Sequence, residues 1–152
     1  MMKIIIGADN LGYDLKEIVK THIESKGIEV VDVGVYDKKP VDYPDVALAV
    51  AKRIANNEFE RGILICGTGI GMAIAANKVP GVRAAQCHDI YSAERSRKSN
   101  NAQIMTMGAV VIGPELAKKL VDVWLESEFQ GGRSIPKVKK INDIDSRCRK
   151  SV

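Results

Sequence analysis

Cys66 and the glycines that follow it form the part of the sequence best suited to chemistry. Residues 64–78 read LICGTGIGMAIAANK, so an apolar run ends at Cys66 and three glycines fall within 67–71. Glycines let backbone amides approach an oxyanion closely, and a helix behind them adds the positive end of its dipole. The same field favours a thiolate. Such a thiolate is suited to take a C–H proton next to a carbonyl, while the amides stabilise the developing enediolate oxygen.

The spacing of this turn differs from the common nucleotide-binding motifs. It is G-x-G-x-G, whereas a dinucleotide fingerprint needs G-x-G-x-x-G, and no Gly-Lys-Ser/Thr follows as in the phosphate loops of nucleotide kinases. A purely structural interpretation stays open, with the glycines serving tight packing and Cys66 acting as a small buried hydrophobe. A cysteine hydrolase would need a histidine, and the sequence holds only His22, in a predicted helix, and His88.

Alternating apolar patterns predict the scaffold that positions this turn. Short continuous apolar runs predict strands, and apolar residues three or four apart predict the helices between them. The predicted strands are 3–9, 29–34, 61–67, 83–87 and 104–112, and the predicted helices are 14–26, 45–57, 70–78, 92–99 and 114–128. This alternation is typical of an α/β fold, a parallel sheet with helices on both faces, here in a single domain, 1–152. The tail from about 131 to 152 begins Gly-Gly-Arg and returns to a short helical pattern. It packs either on a partner subunit or on its own body.

Composition and charge narrow the class of protein. The net charge is only +4, and two Phe, one Trp and four Tyr leave no basic stripe interleaved with aromatics, so nucleic acid is not an expected partner. There is no run of about 18 apolar residues, so no membrane span is expected. The start, MMKIIIGADN, predicts a first strand rather than a signal peptide. The irregular spacing of Cys66, Cys87 and Cys148 indicates reduced thiols in a cytoplasmic protein, and two histidines are too few for the usual zinc site.

Several segments of the chain resemble the type B ribose-5-phosphate isomerase family, which includes the galactose-6-phosphate isomerase subunits. They read GADNLGYDLK, VDYPD, ICGTGIGMAIAANKVPGVRAA, YSAERSRKSNNA and WLESEFQGGR, and the resemblance runs from about residue 2 to about residue 145. It implies a Rossmann-like three-layer αβα sandwich with a five-stranded parallel sheet. It also implies aldose–ketose isomerisation through an enediolate without metal or cofactor, in a homodimer or dimer of dimers whose active sites lie at the interface.

The resemblance also assigns roles to individual residues. It implies that Cys66 is the general base, that the Thr68 hydroxyl lies close to the sugar ring oxygen, and that Asp9 binds sugar hydroxyls. The other implied residues are Gly67, Gly69, Ile70 and Gly71 in the anion hole, Asn10, Tyr43, Ser99 and Asn100 around the sugar, with Asn100 from the neighbouring subunit, and Arg133 and Lys137 in the phosphate clamp.

Some of these positions depart from the family pattern. The family usually has histidine at the position of Asn10, and its ring-opening histidine corresponds to Ser99, whose hydroxyl cannot protonate a ring oxygen near pH 7 as imidazole can. Where the family has an arginine in the fifth strand, this chain has Val110. Where the family has a second arginine in the phosphate clamp, this chain has Lys137, which cannot bind phosphate in the bidentate geometry of arginine. His88, just past the fourth strand, is either a replacement for the missing acid or a polar loop residue.

These departures favour a four-carbon substrate. Ribose 5-phosphate is mostly a closed furanose, whereas an aldose 4-phosphate cannot close a furanose through its blocked terminal oxygen and needs no ring-opening acid. The segment HDIYSAERSRKSNNAQIMTMGA also resembles the branch of the family that converts D-erythrulose 4-phosphate to D-erythrose 4-phosphate. The sequence therefore predicts this tetrose-phosphate isomerase, with ribose 5-phosphate and ribulose 5-phosphate as the close alternative.

Two readings from other classes of protein remain. One is a non-catalytic sugar-phosphate-binding subunit, against which the retained Cys66 and its complete glycine turn argue. The other is a redox-sensing thiol protein, in which Cys66 would pair with Cys87 on an adjacent predicted strand.

Overall fold

Within residues 2–150, which the computed structural model describes, the chain forms a five-stranded parallel sheet with helices on both faces. Positions 1, 151 and 152 of the predicted domain lie outside the described residues. The strands are β1 (Lys3–Ala8), β2 (Glu29–Asp32), β3 (Arg61–Cys66), β4 (Ala84–Gln86) and β5 (Ile104–Gly108). The helices are α1 (Tyr13–Glu24), α2 (Tyr43–Ala55), α3 (Ile70–Ala76), α4 (Ile90–Lys98), α5 (Pro114–Glu126) and α6 (Ile135–Lys150), with a 3-10 helix at Gly132–Ser134. The predicted three-layer α/β fold is confirmed. Across the described residues, no helix combines the length and apolar character that crossing a bilayer requires.

The order of the strands brings the ends of β1 and β3 together. The order is β2-β1-β3-β5-β4, and each neighbouring pair is parallel. Strand β3 is central and buried along its whole length, which explains its nearly continuous apolar sequence. Ala8 pairs with Ile65, and the Asp9 amide donates to the Ile65 carbonyl at 3.2 Å. Asp9 and Cys66 therefore meet at the carboxyl edge of the sheet, where ligands of such sheets bind.

Apolar clusters fix this edge from both faces of the sheet. One cluster includes Val19 of α1 and Trp124 of α5, and the other includes Val50 of α2 and Met72 of α3. All four side chains have no exposed surface. Full burial of a large apolar side chain contributes about 1.5–3 kcal/mol to the free energy of folding. The helices on both faces therefore hold the carboxyl edge of the sheet in place.

The predicted fifth strand, 104–112, is too long. Strand β5 ends at Gly108, and the chain then turns, with the Ile112 amide donating to the Gly108 carbonyl at 3.1 Å. The Val110 amide donates to the Gly67 carbonyl at 3.0 Å, so this turn supports the end of β3. Val110, expected in a strand, lies in the turn with 70% of its surface exposed. An apolar run shows that a segment is strand-like but not where its ladder of hydrogen bonds stops.

The prediction that Cys66 and Cys87 lie on adjacent strands is wrong. Strand β5 lies between β3 and β4, and the two cysteines belong to apolar clusters on opposite faces of the sheet. Strands two positions apart are separated by roughly 9–10 Å, which is beyond the reach of a disulfide. The sequence could not show this because the last strand of the chain inserts between two earlier ones.

The C-terminal segment forms a 16-residue helix, longer than the short pattern predicted. Of the residues described in this helix, Val138 is the one that is buried. Asn142 accepts a hydrogen bond from the Arg83 side chain at 3.0 Å, and Asp145 accepts one from the Gly81 amide at 2.8 Å. Helix α6 thus contacts its own chain through the buried Val138 and through polar groups, and its packing on a partner subunit stays a prediction.

Candidate active site

An open cleft of about 830 Å³ lies at the carboxyl edge of the sheet, above β1 and β3. It brings together seven of the predicted site residues: Asp9, Tyr43, Cys66, Gly67, Thr68, Ile70 and Gly71. The other predicted residues are not part of its lining in this chain: Asn10, Gly69, Ser99, Asn100, Arg133 and Lys137. One chain therefore supplies the predicted base and most of the predicted anion hole.

The Cys66 thiol lies against the backbone of the turn that follows it. Its sulfur accepts a hydrogen bond from the Gly69 amide at 3.1 Å, and the residue is 5% exposed. Gly69 has φ +78°, and a Cβ there would lie 2.8 Å from the Met107 backbone, so only glycine fits. Since α3 begins at Ile70, the sulfur also faces the positive end of a helix dipole. Both features suit an anionic sulfur.

Thr68 is held within the same turn. Its hydroxyl oxygen accepts a hydrogen bond from the Ile70 amide at 3.2 Å. A hydroxyl has one proton and two lone pairs, so this bond leaves the proton of Thr68 for a substrate oxygen. The side chain is exposed and lines the cleft, so a ligand in the cleft could reach it.

Asp9 and Asn10 follow β1 but face different partners. Asp9 is 8% exposed, lines the cleft, and accepts a hydrogen bond from the Gly12 amide at 3.0 Å. The side-chain carbonyl of Asn10 accepts a hydrogen bond from the Val41 amide at 3.3 Å. Val41 lines the cleft whereas Asn10 does not, so Asn10 connects the first turn to the loop before α2.

The contact between Tyr43 and Gly71 could not be read from the sequence. Helix α2 begins at Tyr43, and a Cβ on Gly71 would lie only 2.1 Å from Cε1 of the tyrosine ring. The ring therefore lies directly against the backbone of α3. The one available signal is that Gly71 falls inside a helix, where glycine is unfavourable unless close packing requires it.

The described part of this chain does not supply the cleft with a positive charge that could bind a phosphate group. Its lining carries the carboxylates Asp9, Asp42 and Asp45 but, within the described part of the chain, no lysine or arginine. Sequence reasoning did not single out Asp42 and Asp45, although both belong to the quoted VDYPD segment. Arg133 lies in the 3-10 helix and Lys137 in α6. Their role as a phosphate clamp, delivered by a second subunit, stays a prediction.

Ser99 and Asn100 lie at the end of α4. The Ser99 hydroxyl accepts a hydrogen bond from Nε of Arg95 at 2.8 Å. Asn100 is exposed, and its amide donates to the Arg95 carbonyl at 3.3 Å. An exposed position outside the cleft of its own chain is compatible with the prediction that Asn100 reaches a neighbouring subunit.

Neither histidine replaces the missing acid in this cleft. Nε2 of His22 lies 2.6 Å from a carboxylate oxygen of Asp122, on the helical layer. Nε2 of His88 accepts a hydrogen bond from the Gly108 amide at 2.9 Å. Burial lowers the pKa of His88, with Asp89 opposing the shift, which keeps the ring neutral at pH 7. Within residues 2–150, therefore, no imidazole lines the cleft.

Comparisons with known proteins agree with this geometry. A family model described as Ribose/Galactose Isomerase matches residues 4–141. The "Ribose-5-P isomerase B" of Listeria innocua is 57% identical over 148 residues, which cover 97% of this chain and 100% of the relative. The "D-erythrulose-4-phosphate isomerase" of Pectobacterium atrosepticum is 56% identical over 144 residues, which cover 93% of each chain. The solved structure of Clostridium thermocellum ribose-5-phosphate isomerase B has a TM-score of 0.94 and 49% identity, over 96% of this chain and 99% of that one. The chain belongs to the ribose/galactose isomerase family of sugar-phosphate isomerases.

Proposed function

We propose that this chain interconverts D-erythrulose 4-phosphate and D-erythrose 4-phosphate. The observation that carries the choice of substrate is the lack of an imidazole at the cleft of the described chain, with Ser99 at the position of the family's ring-opening histidine. A tetrose 4-phosphate is already open-chain, so it needs no acid at that position. Sequence identity does not separate the candidates, since the two relatives stand at 57% and 56%.

The chemistry follows from the groups that meet at the turn. The Cys66 thiolate takes a proton from the carbon next to the ketose carbonyl, which leaves an enediolate, and returns a proton to the former carbonyl carbon. The hydroxyl proton passes from one enediol oxygen to the other, so no external oxidant or reductant is needed. The amides of the turn and the Thr68 hydroxyl stabilise the negative oxygen of the enediolate.

The remaining roles orient the substrate. Asp9 and Tyr43, both in the cleft lining, bind the sugar hydroxyls. The phosphate is bound by Arg133 and Lys137 of a second subunit in a homodimer or dimer of dimers, since this lining offers no cation of its own in the described chain. Cys66, Cys87 and Cys148 are free thiols, which supports a reducing, cytoplasmic location.

Steady-state kinetics on both substrate pairs test the proposal. We expect kcat/KM to be at least about 10-fold higher for D-erythrulose 4-phosphate, and Ser99→His to raise turnover of ribose 5-phosphate by about 10- to 100-fold with little effect on the tetrose. Ser99→Ala is the matched control, since it changes the same position without supplying an acid. A higher kcat/KM for ribose 5-phosphate in the unaltered protein would remove the tetrose proposal.

Ribose 5-phosphate/ribulose 5-phosphate isomerisation is the second candidate. The Listeria innocua relative of that name, matched over its full length, favours it. A non-catalytic sugar-phosphate-binding subunit is a weaker candidate, because the chain retains both the sulfur and the amide that contacts it.

A further inference from the structure

We propose that Gln86 and Thr106 are positioning residues that fix the two peptide units facing the catalytic sulfur and hydroxyl. Each donates a hydrogen bond to a carbonyl of the glycine turn, and the amide at the other end of that peptide contacts Cys66 or Thr68. The inference rests on the proposed role of Cys66 as the base.

The first peptide joins Thr68 to Gly69. Nε2 of Gln86 donates to the Thr68 carbonyl at 2.7 Å, and the Gly69 amide of the same peptide donates to the Cys66 sulfur at 3.1 Å. The carbonyl and N–H of a trans peptide point in opposite directions, so the bond from Gln86 determines where the amide points. Hydrogen bonds in a chain polarise one another, so this bond also strengthens the one to the sulfur.

The second peptide joins Gly69 to Ile70. The Thr106 hydroxyl donates to the Gly69 carbonyl at 2.7 Å, and the Ile70 amide donates to the Thr68 hydroxyl oxygen at 3.2 Å. Thr106 has no exposed surface. Its bond is therefore shielded from competing water, and the Ile70 amide is held so that the Thr68 proton faces the cleft.

The sheet itself aligns the two donors. Gln86 on β4 and Thr106 on β5 are register partners, so their side chains project from the same face. They bind consecutive carbonyls of the turn. A Cβ on Gly108 would lie 2.6 Å from the Thr68 backbone, so the turn already rests on β5 and cannot approach it further. Backbone packing fixes where the turn lies, and the two side chains fix which way its amides point.

Alkylation of Cys66 tests this inference without substrate. All samples for this experiment carry the substitution Cys148→Ser, which removes the exposed thiol. Burial raises the pKa of Cys87 to about 11, so that thiol reacts little near pH 7. The rate of reaction with iodoacetamide near pH 7 therefore reports on Cys66. Gln86→Met keeps a similar volume but loses the donor. We expect its alkylation rate at pH 7 to fall about 2- to 10-fold, because the Gly69 amide that contacts the sulfur is no longer held in place. Because no isomerisation is measured, failure here is distinguishable from failure of the proposed function.

A second pair of variants tests Thr106. Thr106→Val removes the hydroxyl at nearly constant shape, and we expect kcat with D-erythrulose 4-phosphate to fall while KM changes little. Thr106→Ser keeps the hydroxyl and should restore kcat. A purely structural role would instead lower thermal stability in Thr106→Val without the split between kcat and KM.

Gln103→Met is the matched control. Gln103 makes the same type of bond, from its amide nitrogen to the Gly81 carbonyl at 2.9 Å, at a loop that does not line the cleft. We expect this variant to be alkylated at the unaltered rate. The inference would be overturned if Gln86→Met were alkylated at the same rate as the protein without that substitution. It would also be overturned if Gln103→Met lowered the alkylation rate as much as Gln86→Met.

Discussion

Gly71→Ala is expected to impair catalysis through Tyr43 while leaving the fold intact. The added methyl group would lie 2.1 Å from Cε1 and 2.3 Å from Cζ of the tyrosine ring. Carbon atoms pack at about 3.5–4.0 Å, so the ring must move by roughly 1.4 Å or more. It has room to move, because Tyr43 is half-buried at the start of α2 and lines an open cleft.

In Gly71→Ala, a gain in helix propensity and a cost of overpacking are expected to leave the free energy of unfolding nearly unchanged. Gly71 lies within α3, where alanine is favoured over glycine by about 1 kcal/mol. Overpacking against fixed neighbours costs about 1–3 kcal/mol, and a mobile ring lowers that cost. Misplacement of a substrate-positioning group by about 1 Å can cost about 100-fold in rate. We therefore expect kcat/KM to fall at least about 10-fold, mainly through KM, with little change in Tm.

Steady-state kinetics and thermal unfolding of the same samples provide the assay. Gly113→Ala is the control, because a Cβ there meets nothing within 4 Å. In a Tyr43→Ala background, Gly71→Ala should add little, since the ring it displaces is gone. Unaltered kcat/KM for Gly71→Ala, or an equal loss without the ring, would refute the reasoning.

Three further predictions concern the phosphate clamp, the thiols and a buried ion pair. Arg133→Ala is expected to raise KM at least about 10-fold with little change in kcat, because the phosphate lies away from the reacting carbon; an unchanged KM would exclude the clamp. Mild peroxide should give no Cys66–Cys87 disulfide by mass spectrometry, since β5 separates their strands, and detection of that bridge would contradict the strand order. Asp32→Asn should lower the free energy of unfolding by about 3 kcal/mol, because the fully buried Lys16 ammonium loses a carboxylate at 2.7 Å. Burial alone would raise the pKa of Asp32, but the hydrogen bonds that the Lys16 ammonium donates to its carboxylate hold that pKa below the ordinary 3.8. The stability it contributes is thus present above about pH 4 and lost as the pH falls through the lower folded value, and chemical denaturation should show a smaller acid-induced loss in Asp32→Asn.

Local signals were sufficient to predict the edge of the sheet that carries the candidate site. Apolar runs that end at Asp9 and Cys66 mark the carboxyl ends of two parallel strands, and the glycines after Cys66 mark a turn into a helix. Those signals depend on neighbours in the chain, which is why the α/β class and this part of the cleft could be predicted from sequence.

Long-range contacts could not be predicted in the same way. Gln86 has the sequence character of any surface polar residue, and Thr106 that of any residue in an apolar strand. Their bonds to the turn depend on the placement of β5 between β3 and β4. The contact of Tyr43 with Gly71 likewise depends on the packing of α2 against α3, which periodicity does not specify.

Deuterium incorporation tests the central claim most directly. D-erythrulose 4-phosphate is incubated in D₂O with the unaltered protein or with Cys66→Ala. Deuterium is followed by NMR at C1 of the ketose and at C2 of the aldose, the two carbons that lose and gain the proton. Proton transfer by the Cys66 sulfur predicts deuterium there with the unaltered protein and none with Cys66→Ala, whose fold is checked by circular dichroism. Product formed without deuterium, or equal turnover without the thiol, would contradict the account.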